Sequence, residues 1–160
     1  MFTKTLSGIT LLSACLISTA HAAVLLEKYS QSGGEGPAES RFETSCAIHT
    51  SAQANKGVLI KKTSVAGIVS TQTTPIQFNT TQLNNIIASA SKGKITTAPL
   101  PLDVATHFYV AHQKQTNGST KSIALYGEDG DVGKKTINNS VAAKSLVNYL
   151  ELNCVDKLRF

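Results

Sequence analysis

The chain has 160 residues, with 15 Lys and Arg against 10 Asp and Glu, a formal net charge of +5, three Cys and no Trp. Its lysines fall in small scattered groups, Lys56/Lys61/Lys62, Lys92/Lys94 and Lys134/Lys135, none interleaved with aromatics. That excludes the charged stacking platform of a nucleic-acid binder and leaves ordinary solvated lysines.

The chain opens with one positive charge, Lys4, followed by an apolar stretch from Leu6 to Ala20. At about 15 residues it is shorter than the roughly 20 needed to span a bilayer. It ends at Ala20-His21-Ala22, an A-x-A cleavage pattern. These features predict a secretory signal peptide over residues 1–22 and one domain over 23–160. The expected location is extracytoplasmic, periplasmic or secreted. Leu12-Ser13-Ala14-Cys15 offers a competing lipobox, with Cys15 as a lipidated N-terminus. It would strand Leu16-Ile17 and the better cleavage site in the mature chain. No later segment is apolar enough to cross a membrane.

Cleavage removes Cys15 and leaves Cys46 and Cys154, an even pair that reads as a disulfide in an exported protein. Phe42, Thr44, Cys46 and Ile48 alternate with Arg41, Glu43, Ser45 and His49, which places Cys46 on the apolar face of a strand. Cys154 extends the helical stripe Ala143, Leu146, Val147, Leu150. Both thiols are therefore expected to face one core. Closing a loop of about 108 residues would contribute about 4 to 5 kcal/mol in the chain-entropy model.

In chain order, Leu25 to Tyr29 reads as a strand, and Ser32-Gly33-Gly34-Glu35-Gly36-Pro37 as a loop. Arg41 to His49 and Val58 to Thr63 form a hairpin, and Val65 to Ser70 is a third strand candidate. Asn79 with Gln82 makes a capping box, Phe78 with Leu83 a hydrophobic staple, and Gly93 a stop. These predict a helix over 80–92, with the stripe Leu83, Ile86, Ile87, Ala90. Pro99 and Pro101 mark a linker. Val104 to Lys114 and Lys121 to Gly127 flank Asn117-Gly118, and a two-residue turn there would pair Val110 with Leu125 and His112 with Ile123. A terminal helix is expected from about Ser140 to Asn153. The fold class is α+β, a mainly antiparallel sheet with two helices packed on one face and one disulfide.

No pattern carries chemistry. Ser89-Ala90-Ser91-Lys92 matches S-x-x-K but lacks the companion S-D-N and K-T-G motifs. His107 and His112 lie five apart on a strand, on opposite faces, so they cannot share a metal. Glu128-Asp129-Gly130-Asp131 reads as an acidic loop, and its Glu128, Asp129 and Asp131 lack the further oxygen ligands that calcium needs. No catalytic residue, metal or cofactor is expected, although strand ends can assemble a site that spacing hides.

The order of elements carries a resemblance. A strand leads into Ser32-Gly33-Gly34, followed by a strand and a Leu83-x-x-Ile86-Ile87 helix. A hairpin containing Phe108-Tyr109 and a Leu146-x-x-x-Leu150 terminal helix come next. This is similar to emfourin-like proteins, small inhibitors of thermolysin-type metalloproteases. The chain departs from that pattern where Glu35-Gly36-Pro37 follows the glycines in place of a small apolar triplet. Its signal peptide and cysteine pair are additions. The resemblance implies a non-enzymatic protein-binding module, here exported by its signal peptide, with a protease among its candidate partners and Gly33, Gly34 and Glu35 as a candidate binding loop. The alternative is a periplasmic envelope-accessory or structural protein.

Overall fold

The computed structural model describes residues 23–32 and 41–154. The segment 1–22, expected to be a signal peptide, and the candidate loop residues Gly33, Gly34 and Glu35 lie outside the described residues. Eight strands form one antiparallel sheet: β1 (Val24–Gln31), β2 (Phe42–Thr50), β3 (Lys56–Val65), β4 (Ile68–Gln77), β5 (Ile95–Pro99), β6 (Thr106–Lys114), β7 (Thr120–Asp129) and β8 (Lys134–Asn138). Their spatial order is β4-β3-β2-β1-β6-β7-β8-β5. Helices α1 (Thr80–Ala90) and α2 (Val141–Cys154) pack on one face, as expected. Helix α1 carries the chain from β4 at one edge of the sheet to β5 at the other.

Alternation selects the covered face. Leu26, Cys46, Ile48, Leu59, Ala111 and Ile123 point toward the helices. They meet Leu83, Ile87 and Ala90 of α1 and Ala143, Leu146 and Leu150 of α2, the two stripes read from the sequence. Asn79 caps α1, its Oδ1 accepting from Gln82 N at 2.9 Å. Ser140 caps α2, its Oγ accepting from Ala143 N at 3.1 Å. At Gly57 an added Cβ would stand 2.4 Å from the Phe78 ring, so only glycine lets the staple residue close over β3. Cys46 and Cys154 are disulfide-bonded with Cα atoms 5.9 Å apart. The bond fastens the last turn of α2 to β2.

Four expectations change. Val65 to Ser70 straddles a hairpin turn: Ala66 and Gly67 have φ of 50° and 81°, and the strand proper is β4. The Pro99 linker is instead the end of an edge strand, β5, hydrogen-bonded to β8. The acidic segment expected as a loop begins inside β7, with Glu128 and Asp129 opposite Lys135 and Lys134. Finally, Asn117-Gly118 does not form a two-residue turn. Gln115 N donates to Ser119 O at 2.8 Å, closing a three-residue loop with Gly118 at φ 82°. Asn117 Oδ1 accepts from Ser119 N and Oγ at 3.0 and 2.7 Å, which holds the loop. The register therefore slips by one, pairing Val110 with Ala124 and His112 with Ser122. An irregularity between Tyr109 and Val110 takes up the slip and sets Tyr109 opposite Tyr126.

Candidate functional site

The face of the sheet away from the helices carries a depression of about 570 Å³. Its floor comes from residues of opposite parity to the core. Val24 and Tyr29 stand on β1, Ala47 on β2, Ile60 on β3, and Phe108 and Val110 on β6. Polar side chains line the rim: Glu27 from β1, His49 from β2 and Lys62 from β3. An apolar floor with a few polar groups of both signs is the usual composition of a recognition site. A second depression of about 540 Å³ separates the exposed sides of the helices. Its walls, Gln82, Asn85, Ile86, Ser89, Val141 and Ser145 among them, hold no ionisable group.

At the rim of the sheet depression the folded chain assembles a line that spacing hides. His112 Nε2 lies 2.9 Å from Glu27 Oε1, and His112 Nδ1 lies 3.3 Å from Ser122 Oγ. Hydroxyl, imidazole and carboxylate in sequence is the order used in nucleophilic catalysis. Here the line runs across three strands of an open sheet. Ser122 is exposed and the Glu27 side chain is 44% exposed. Its legible role is to hold the imidazole against the sheet and place charge at the rim.

The covered face carries the densest polar cluster, around the C-terminal end of α2. Lys28 Nζ contacts Glu151 Oε1 at 2.8 Å, and the Tyr109 hydroxyl donates to the same oxygen. Alongside, Lys135 Nζ contacts Glu128 Oε1 at 2.8 Å, and the Tyr126 hydroxyl donates to it. The two tyrosine rings meet edge-on with centroids 5.8 Å apart, and each lysine lies over a ring, at 5.4 and 5.1 Å. His107 Nδ1 stands 3.0 Å from Ser30 Oγ. Burial, then the Glu151 carboxylate, push the Tyr109 hydroxyl well above its ordinary value. Burial also pushes the Glu151 carboxyl up, but Lys28 and Tyr109 outweigh it and hold that group below the ordinary carboxylate value. Lys135 and then Tyr126 hold Glu128 down. Each acid is thus ionised and satisfied, the condition for a structural clamp.

The histidines are dispersed, His107 on the covered face, His112 and His49 on the open one. Among the described residues no three His, Cys, Asp or Glu side chains converge as a metal site would require. The S-x-x-K serine is occupied: Ser89 Oγ donates to Asn85 O at 2.9 Å. Among the described residues no helix is long and apolar enough to cross a membrane. The candidate loop is bounded by a closed neck, with Ser32 N donating to Phe42 O at 3.0 Å and Phe42 N to Ser32 Oγ at 3.1 Å. Comparison with protein families, with curated proteins and with solved structures finds no match to this chain.

Proposed function

We propose that the chain is an exported, non-enzymatic module that binds a protein through the open face of its sheet, with a protease as the first partner class to test. The observation that carries the reading is the depression floored by Ala47, Ile60, Phe108 and Val110 and rimmed by Glu27, His49 and Lys62. A half-buried apolar floor on an antiparallel sheet suits a flat protein epitope or one inserted side chain. The disulfide is compatible with an oxidising compartment. Hydrogen bonds between Ser32 and Phe42 bring β1 and β2 together where the chain enters and leaves the segment that contains Gly33, Gly34 and Glu35.

The test has two arms. The protein is incubated in micromolar excess with a thermolysin-type metalloprotease and residual peptidase activity is read. Inhibition that Gly34→Trp or Glu35→Lys weakens supports the protease partner, and full residual activity rejects it. Independently, Ile60→Asp is compared with the parent chain in pull-downs from envelope and secreted fractions. Partners retained equally by both chains reject the open face as the binding surface.

A further inference from the structure

We infer that the outer edge of β4 pairs with β4 of a second copy of this chain, about a two-fold axis at Thr71, to give a continuous sixteen-stranded sheet.

The two edges of the sheet are built differently. The edge at β5 is five residues long, ends in Pro99 and is preceded by Lys94. Short length, Pro and Lys are the usual protections of a sheet edge. The edge at β4 is ten residues long, Ile68–Gln77, and carries no charged residue. Among the described strands it pairs only with β3. Nine of its ten residues are exposed, with Ile68 at 77% and Val69 at 65%. A long, neutral edge rich in Thr is a template for strand addition.

The register selects the partner. Ala66 and Gly67, both at positive φ, form a two-residue turn whose closing pair is Val65 and Ile68. That closing pair is hydrogen-bonded, and bonded pairs then alternate along the ladder. Ile68, Ser70, Gln72, Thr74 and Ile76 thus bond inward to β3, while the main-chain groups of Val69, Thr71 and Thr73 aim outward. Pro75 also aims outward but has no N–H to offer. Antiparallel pairing about Thr71 sets Val69 opposite the partner's Thr73 and Thr71 opposite the partner's Thr71. Pro75 then falls opposite the partner's Gly67, in the turn beyond the strand. The missing donor costs no ladder bond in this register.

Charge fits a self-partner as well. A chain with net charge +5 presents a neutral edge to its copy. The nearest lysines, Lys61 and Lys62, sit on β3, so those of the two copies stand three strand spacings apart, about 14 Å. That exceeds the Debye length of about 8 Å at physiological salt. The pairing is isologous, so it consumes both free edges and closes. It also joins the two open faces into one surface, although it does not depend on what binds there.

The test is the mass of the full chain by light scattering over a micromolar concentration series. The wild type is expected at twice the monomer mass. Thr71→Lys sets two like charges across the axis and should weaken dimerisation about tenfold or more while leaving the circular dichroism unchanged. Thr71→Cys should give a covalent dimer with a short bismaleimide, and Gln77→Cys, at the far end of β4 and about 40 Å from its copy in this register, should not. A wild type that stays monomeric, including one that captures only a foreign strand, overturns the inference. So does a dimer that Thr71→Lys leaves intact or that crosslinks equally through Gln77→Cys.

Discussion

The two faces of the sheet obey the same alternation and end in opposite states. On the covered face Lys28 pairs with Glu151, Lys135 with Glu128, and both tyrosine hydroxyls with a carboxylate. On the open face Phe108, Val110 and Ile60 floor a depression that no described helix covers. A sheet layered on one side can dedicate its covered face to stability and leave the other for recognition. The comparison therefore predicts substitutions that unfold the protein from one face and spare it from the other.

The largest loss should follow removal of the disulfide. Replacing Cys154 by Ser is expected to cost about 4 kcal/mol, since the bond closes 108 residues of chain. Urea unfolding monitored by circular dichroism reads it. A midpoint close to wild type would mean that packing alone holds α2 to the sheet. Next comes Asn138, which is 2% exposed at the end of β8. Its Nδ2 donates to Ala90 O and Ala124 O at 3.0 and 3.2 Å, and its Oδ1 accepts from Ser140 Oγ at 2.9 Å. One amide thus joins the end of α1, strand β7 and the start of α2. Asn138→Leu strands those groups in the interior and should cost about 2 to 4 kcal/mol. The same unfolding series measures it, and a loss no larger than that of an exposed Asn139→Ala control would remove Asn138 from the covered-face account.

These two residues also mark the limits of what sequence reveals. The disulfide was legible because each cysteine sits on an apolar stripe of its own element, β2 and α2, and each stripe is local. Both helices were legible for the same reason, with Asn79 and Phe78 marking the start of α1. Strands β5 and β8 were not. ITTAP and KKTIN have no alternation of their own and exist as strands because β8 pairs with β7 and β5 with β8. Nothing local marks Asn138 as buried, since its partners Ala90 and Ala124 come from elements distant in sequence. The Ser122–His112–Glu27 line needs β1 beside β6, a non-sequential pairing, together with a one-residue register slip at Asn117-Gly118. Local pattern contains neither.

The clamp at the end of α2 should contribute less than the disulfide and should do so in a pH-dependent way. Tyr109 is 9% exposed and bonded to a charged acceptor, so Tyr109→Phe is expected to cost about 1 to 3 kcal/mol. Glu151 and Glu128 are both held below the ordinary carboxyl value of 4.5. Groups lowered in the folded state stabilise it fully above the unfolded value and lose that contribution as pH falls through the folded one. Stability should therefore be level from neutral pH down to about 4.5 and fall below it. Glu151→Gln should flatten part of that acid-side decline. An unchanged pH profile in that variant would show that other carboxyls dominate.

The smallest effects belong to the open face, and they sharpen the contrast most. Ile60→Ser and Lys62→Glu alter the floor and rim of the depression without touching the helices. Substitutions away from the core stay within about 0.5 kcal/mol, so neither should move the urea midpoint appreciably. Both should still weaken partner capture, Lys62→Glu by reversing the charge at one side of the rim and Ile60→Ser by removing apolar floor. His112→Gln should behave alike, because its carboxylate partner Glu27 is partly exposed and such pairs contribute about 0 to 1 kcal/mol. A loss of 2 kcal/mol or more from any of these three would break the division between the faces. It would mean that the open side shares in holding the sheet together, as it would if a second layer, from this chain or another, covered it.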